Sequence, residues 1–307
     1  MKKLSIVVPV YFNAPSLGEL YNALVNLEKS LNSIEIELEL IFVDDGSQDE
    51  SYTELLKIKE MDSKVKLIKL TRNFGSLHAI KTGYKFVSGD CFAYLSADLQ
   101  DPPELILEMA KRWLAGSKFV ICERVSREDP FMSKIFSKIH HKLLKLMVIR
   151  DFPDGGFDLA LMDRDMLPYL ANSAKNSYVA LLAFWLGYKP EIIHYHRRAR
   201  QHGKSKWTLA KKVKLFLDIM LGFSVTPIRT ISAIGVFVAM CSFLYGGVVV
   251  LYAALYQMPV EGYATVVALI TFLLGLIIVM LGIIGEYLWR IFDESNMRPE
   301  TVIEEVR

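Results

Sequence analysis

Cysteine is scarce in this chain. Its three copies, Cys91, Cys122 and Cys241, have neither metal-ligand spacing nor an even count to pair. Two lie in strand-like apolar runs and the third in a longer apolar run, so buried thiols are expected rather than disulfides. Glycine-rich phosphate loops are missing as well. No Gly-x-Gly-x-x-Gly follows the first strand-like run, and no Walker-type Gly-x-x-x-x-Gly-Lys-Ser/Thr motif is present, which disfavours dinucleotide and P-loop readings. Charge of one sign is not in excess: 36 Lys and Arg against 34 Asp and Glu leave a formal +2. Nor does a signal peptide open the chain, because Met1-Lys2-Lys3 leads directly into a strand-like segment. The N-terminal domain is therefore expected to stay in the cytosol.

What is present is uneven. Hydrophobic residues make up 52% of the 307 positions, with most of the excess after residue 230. Before that point, apolar runs alternate with helical patterns. Leu4–Val10, Leu38–Val43, Val65–Leu70, Cys91–Leu95, Phe119–Cys122 and Phe157–Met162 read as strands. Helical periodicity begins after Ser16, a candidate cap, with Leu17, Leu20, Leu24 and Leu27, and recurs near 50–60, 76–88 and 103–115. Near-continuous apolar strands alternating with helices predict an α/β domain with a mostly parallel sheet covered on both faces.

Three of these strands end in polar clusters: Asp44-Asp45, Arg72-Asn73 and Ser96-Ala97-Asp98-Leu99-Gln100-Asp101. A parallel sheet brings such ends to one edge, where open α/β sheets bind ligands. Asp98 and Gln100 stand two apart, so an extended segment would point both to one side. A carboxylate and an amide oxygen together suit a hard cation such as Mg²⁺ or Mn²⁺.

The segment Arg197 to Lys214 holds eight Lys or Arg and no acid. Its first part, with Gly203 and small polar neighbours, suits a loop that grips phosphate, and the whole suits a basic patch facing anionic lipid. From Trp207 to Leu221 the spacing is amphipathic, as for a helix lying on a membrane surface. Ile231–Tyr256 and Ala264–Trp289 are then each long enough to cross a ~30 Å hydrocarbon core, which takes about 20 residues. The connection 257–263 has no Lys or Arg, whereas Arg229, Arg290 and Arg298 flank the pair. The positive-inside rule places both flanks in the cytosol and the short connection outside.

In order, Val8-Pro9-Val10-Tyr11-Phe12-Asn13, Val43-Asp44-Asp45-Gly46-Ser47, Arg72-Asn73-Phe74-Gly75, Ala97-Asp98-Leu99-Gln100-Asp101-Pro102-Pro103-Glu104 and Arg197-x-x-Arg200-x-x-Gly203-x-Ser205-Lys206-Trp207 resemble the motifs of family-2, GT-A-type glycosyltransferases. Within that family they are most similar to the polyprenyl-phosphate glycosyltransferases, the group of dolichol-phosphate mannose synthase. With the two terminal spans, the resemblance covers essentially the whole chain.

The resemblance implies a GT-A (Rossmann-like) domain over 1–206, an amphipathic interfacial region over 207–229, a two-helix hairpin over 230–290 and a cytosolic tail over 291–307. It implies that Pro9, Tyr11, Asn13, Asp44, Arg72 and Asp98 border the nucleotide. Asp98 and Gln100 would hold Mg²⁺ or Mn²⁺ on the donor diphosphate. Arg124, Arg197, Arg200, Ser205 and Lys206 would contact phosphates of donor and lipid acceptor. Asp158 matches the family's catalytic acid, although Gly155-Gly156-Phe157-Asp158-Leu159 sets it one place past the phenylalanine and lacks the family's arginine. Ser96 stands where the family usually carries the first aspartate of Asp-Ala-Asp-x-Gln.

The implied activity is inverting, metal-dependent transfer of a hexosyl group from a UDP- or GDP-sugar to polyprenyl phosphate at the cytosolic face of the inner membrane. The implied partners are those two substrates and the bilayer, with no nucleic acid and a homo-oligomeric state. Two other classes compete: a family-2 enzyme with a hydroxyl acceptor, and a non-catalytic nucleotide-sugar-binding protein. The processive motif Gln-x-x-Arg-Trp is absent at Gln201-His202-Gly203-Lys204, and the retained Asp98 and Gln100 speak for catalysis.

Overall fold

The computed structural model describes residues 1–124, 145, 152–153, 156–175, 177–196, 216, 218–256 and 262–307. Arg197, Arg200, Ser205 and Lys206, and the expected interfacial stretch up to 215, lie outside the described residues.

Strand and helix alternate as the apolar pattern predicts. The elements are β1 (Lys2–Val10), α1 (Ala14–Asn32), β2 (Ile36–Asp44), α2 (Ser51–Met61), β3 (Lys66–Leu70), α3 (Ser76–Tyr84), β4 (Cys91–Tyr94), α4 (Leu105–Leu114), β5 (Phe119–Arg124) and β6 (Phe157–Asp163). They continue with α5 (Leu167–Ala171), α6 (Val179–Trp185), β7 (Glu191–Tyr195), α7 (Thr226–Tyr256), α8 (Tyr263–Ser295) and β8 (Ile303–Val306). The eight strands form one sheet in the order β7-β5-β6-β4-β1-β2-β3-β8. The pairs β1–β2, β1–β4, β2–β3 and β5–β7 are parallel, whereas β6 runs antiparallel to β4 and β5.

Burial explains the central strands. Leu4, Ile6, Val7, Val8 and Val10 of β1 are all fully buried, so both faces of the strand are covered and alternation disappears. On one face, Leu17, Leu20, Leu24, Leu27 and Leu31 of α1 repeat at helical spacing and enter the core with Leu55 of α2 and Ile106 of α4. Helix α3 covers the other face so closely that a Cβ on Gly83 would lie 2.4 Å from Val7 Cγ1. Ser16 is not the cap of α1. It sits inside the helix and is buried, with its hydroxyl donating to the Ala97 carbonyl at 2.7 Å and tying α1 to the loop after β4.

The last residues, expected as a tail, supply a strand. β8 pairs antiparallel with β3, with Ile68 opposite Val306, and Leu67 and Arg307 exchange backbone hydrogen bonds at 2.9 and 2.8 Å. This four-residue segment lies within the expected tail 291–307 and is a strand because β3 offers an open edge. Chain folding accordingly yields two compact units, Met1–Asp218 with Pro299–Arg307, and Ile219–Arg298. In the second, Thr226–Val249 and Phe272–Ser295 are long and apolar enough to span a membrane.

A buried ion pair fastens the returning segment. Lys81 of α3, almost fully buried, meets Glu300 at 2.8 Å, and the other Glu300 oxygen meets His78 Nδ1 at 2.8 Å. Lys81 also donates to the Ser173 and Ala174 carbonyls, and the Thr82 and Thr301 hydroxyls lie 2.7 Å apart. Burial alone would raise the Glu300 carboxyl; the His78 and Lys81 contacts more than offset it and hold it below the ordinary range. Its contribution to stability is therefore present above the unfolded glutamate pKa and is lost as pH falls. Glu300→Ala should cost about 3 kcal/mol, the low end for breaking a buried pair, because Lys81 keeps two carbonyl partners. Unfolding midpoints in detergent followed by tryptophan fluorescence check this; an unchanged midpoint would mean that β8 pairing alone holds the segment.

Candidate active site

Parallel pairing brings the ends of β1, β2, β3 and β4 to one edge, and the antiparallel direction of β6 sends its beginning to the same edge. The three polar clusters read from the sequence therefore meet there. Asp44, opposite Val10 in the β1–β2 register, is fully buried, as is Asp45 beside it. The two carboxylates behave differently. Asp45 accepts from the Phe74 and Gly75 backbone N–H groups at 2.7 and 2.9 Å, clamping the loop after β3 to the end of β2. Gly46 follows at φ +67°, with its α-carbon so near Arg72 that a Cβ would lie 2.4 Å from the Arg72 carbonyl carbon; only glycine fits both demands. Asp44 accepts from the Ser47 N–H at 3.2 Å through Oδ2, while its Oδ1 is buried with no hydrogen-bond partner among the described residues. Burial pushes both carboxyls above the ordinary range, against the bonds from Ser47 and from Phe74 and Gly75.

The loop after β1 is fastened to the same corner. Asn13 Oδ1 accepts from the Tyr11 N–H at 3.0 Å, and the Ser51 hydroxyl accepts from the Asn13 N–H at 2.8 Å. Phe12 takes φ +57° and donates its N–H to the Ser47 hydroxyl. Pro9 lies half-buried near the end of β1. Arg72 reaches the edge but turns along its own loop, its guanidinium 4.2 Å from the Phe74 ring centre.

The loop after β4 departs from the extended geometry that put Asp98 and Gln100 on one side. Leu99 between them has φ +57°, so the segment is a turn. Asp98 Oδ1 accepts from the Gln100 N–H at 3.2 Å and from the Ser96 hydroxyl at 2.9 Å. The same hydroxyl lies 3.2 Å from Asp101 Oδ2, and Asp101 Oδ1 accepts from the Tyr195 hydroxyl at 2.6 Å. Ser96 thus bridges two carboxylates where a third would otherwise crowd them. Carboxylate, hydroxyl and amide oxygens are the donors that Mg²⁺ and Mn²⁺ prefer. Among the described residues no group of three His, Cys, Asp or Glu is assembled for a metal. A cation at Asp98 and Gln100 would accordingly draw further oxygens from water and from a phosphate-bearing ligand, as Mg²⁺ commonly does.

Arg124 ends β5, opposite Tyr195 of β7, and Asp158 is the second residue of β6, so their backbones belong to the same edge. Asp45, Asp101 and Tyr195 were not singled out in the sequence. The first two stand inside motifs already noticed; Tyr195 gave no signal, because only the β5–β7 pairing carries it to Asp101.

Residues 5–171, more than half of the chain, match the profile of Glycosyl transferase family 2. The chain belongs to that family. Along nearly its full length it is similar to the uncharacterized glycosyltransferase YkcC of Bacillus subtilis, 34% identical over 98% of this chain and 93% of that one. It is 30% identical to the bactoprenol glucosyl transferase of Shigella phage SfV over 98% of each chain. Among solved structures, glucosyl-3-phosphoglycerate synthase from Mycobacterium tuberculosis matches 71% of this chain and 80% of its own with a TM-score of 0.50 at 15% identity, a likeness of fold. The chain is a family-2 glycosyltransferase with the GT-A fold.

The Ser96 bridge generates a direct test. Ser96→Asp should tighten Mn²⁺ binding several-fold, since adding a carboxylate raises the negative charge around a hard cation. Calorimetric titration of Mn²⁺ into the purified chain with UDP present measures it. Weaker binding in the variant would show that the serine is a tuned part of the loop.

Proposed function

We propose that this glycosyltransferase moves a hexosyl group from a nucleotide sugar to a polyprenyl phosphate, with inversion, at the cytosolic face of the inner membrane. The observation that carries the proposal is the position of the apolar hairpin within the chain. The chain leaves the sheet at the end of β7, Tyr195, and returns as β8 after two helices of 31 and 33 residues. Because both flanks belong to one sheet, an even number of crossings is required, which supports a hairpin. A catalytic domain tethered in this way suits an acceptor whose tail stays in the bilayer. The relative named bactoprenol glucosyl transferase, similar through the hairpin as well, points to the same acceptor class. The basic segment 197–214, with Arg197, Arg200, Ser205 and Lys206, suits the acceptor phosphate and anionic lipid, and its charge favours the cytosolic side.

In this reading the unpartnered Oδ1 of Asp44 accepts an N–H of the donor base, with Pro9, Tyr11, Asn13 and Arg72 around the nucleotide. Asp98 and Gln100 hold the divalent cation, which when bound neutralises charge on the departing diphosphate. Arg124 adds positive charge near the phosphates. The acceptor is already an oxyanion at neutral pH, since a phosphate monoester has its second pKa near about 6. Its oxygen attacks the anomeric carbon as the bond to the diphosphate oxygen breaks, and a nucleoside diphosphate leaves. No strong base is needed, so Asp158 serves to orient the acceptor or to stabilise positive charge developing at that carbon.

Three measurements test these assignments. Incubating the purified chain with UDP- or GDP-sugars, undecaprenyl phosphate and Mg²⁺ should give a lipid-soluble product that mass analysis identifies as a hexosyl phosphate lipid. Incorporation only into a hydroxyl acceptor would overturn the acceptor class, and no incorporation would favour a binding protein. Asp158→Asn should lower kcat by about 10²-fold or more with substrate affinity little changed, the scale of losing an electrostatic stabiliser. Turnover near that of the unaltered chain would remove Asp158 from the mechanism. For Asp44, nucleotide affinity should weaken as pH falls toward its raised pKa, because protonation removes the acceptor. Asp44→Asn should flatten that dependence, as read by UDP and GDP titrations across pH.

A further inference from the structure

One serine hydroxyl serves two carboxylates in the loop after β4. Ser96 Oγ lies 2.9 Å from Asp98 Oδ1 and 3.2 Å from Asp101 Oδ2, yet it carries a single proton. Ionised carboxylates only accept, so the two compete for that proton. Asp101, almost fully buried, is supplied from its other side. The Tyr195 hydroxyl, at the buried end of β7, donates to Asp101 Oδ1 at 2.6 Å, the short class of bond between a hydroxyl and a carboxylate.

The consequence is an allocation of protons. While Tyr195 donates to Asp101, the serine proton goes to Asp98, the nearer of its two neighbours. There it joins the Gln100 N–H, which reaches the same Oδ1 at 3.2 Å, and two donors on one oxygen fix the plane of the carboxylate. Without the phenol oxygen, Asp101 draws the serine proton more strongly. Asp98 is only half-buried, and a charge that has lost a donor costs more where water cannot reach it, so the competition then turns toward Asp101. Outer hydrogen bonds of this kind orient the carboxylate that holds a metal and tune its affinity.

We propose that Tyr195 is a positioning residue for the divalent cation: through Asp101 it keeps the Ser96 proton on Asp98. The inference rests on the reading of Asp98 and Gln100 as the cation's ligands and deepens it. The effect belongs to the hydroxyl alone, since phenylalanine would keep the ring.

The test is a double-mutant cycle of Tyr195→Phe, Ser96→Ala and their combination in the full chain in detergent, read by calorimetric titration of Mn²⁺ with UDP present. Each single variant should bind Mn²⁺ about tenfold more weakly, the scale of losing an outer hydrogen bond to a metal ligand. The double variant should bind no more weakly than Ser96→Ala, because Tyr195 then has no serine proton to direct. Additive losses, or unchanged affinity in Tyr195→Phe, would overturn the proposal. Asp101→Asn reads the same relay with Tyr195 intact. Its amide oxygen accepts from Tyr195 and its NH₂ donates to Ser96 Oγ, so the serine proton stays with Asp98 and Mn²⁺ affinity should hold within about twofold. A loss of about tenfold there would show that Asp101 supports the cation through its charge, and would overturn the relay. Asp98→Asn separates the two readings. If it leaves Mn²⁺ binding intact, the metal assignment falls together with the relay; if it abolishes binding while the cycle is additive, only the relay falls.

Discussion

Two carboxylates buried side by side at the end of β2 set the form of the whole edge. Burying a carboxylate is tolerable only where hydrogen bonds hold its charge. Asp45 meets that condition through the Phe74 and Gly75 N–H groups, and in doing so it binds the loop after β3 to β2. Asp44 meets it only in part, through Ser47, and leaves one oxygen turned to no protein donor. The neighbouring backbone follows from this demand: Gly46 lies against Arg72, and Ser47 and Ser51 hold the loop after β1. One residue of the pair organises the loops of this edge, and the other keeps one buried oxygen without a partner among the described residues.

The loop after β4 shows how a departure from a family pattern is absorbed. A serine in place of an aspartate removes one negative charge, but its hydroxyl reaches Asp98 and Asp101 together. Asp101 is held from its other side by Tyr195, so a strand three places from β4 in the sheet steadies the loop. Ser16 of α1 reaches the same loop through the Ala97 carbonyl. The loop that turns at Leu99 is held by contacts from two separate elements, α1 and β7.

The returning C-terminal segment carries the chain from the second apolar helix back into the glycosyltransferase sheet. Lys81 is central to that closure. A nearly buried ammonium with Glu300 and two carbonyls as partners links α3, the segment after α5 and the residues after α8. Because α3 also lines a cavity of about 170 Å³ at Ser76, Leu77, Ile80 and Tyr84, the clasp and the cavity share one helix.

Much of this was legible from residues alone. The six strands of the first 163 residues, the two apolar helices, and the meeting of Asp44, Arg72 and Asp98 on one edge follow from apolar periodicity and the geometry of parallel sheets, which are local or generic properties. What the sequence could not determine depends on partners distant in the chain. Ser16 reads as a cap until Ala97 is seen beside it. Asp98 and Gln100 share a side only in an extended segment, and Leu99 turns it. Ile303–Val306 lies in the expected tail and is a strand because β3 has an open edge. Tyr84 belongs to the helical pattern of α3 in either case, and only the packing of that helix against the sheet leaves its hydroxyl buried without a partner among the described residues. Periodicity records which residues are buried; which polar atom inside finds a partner is decided by tertiary contact.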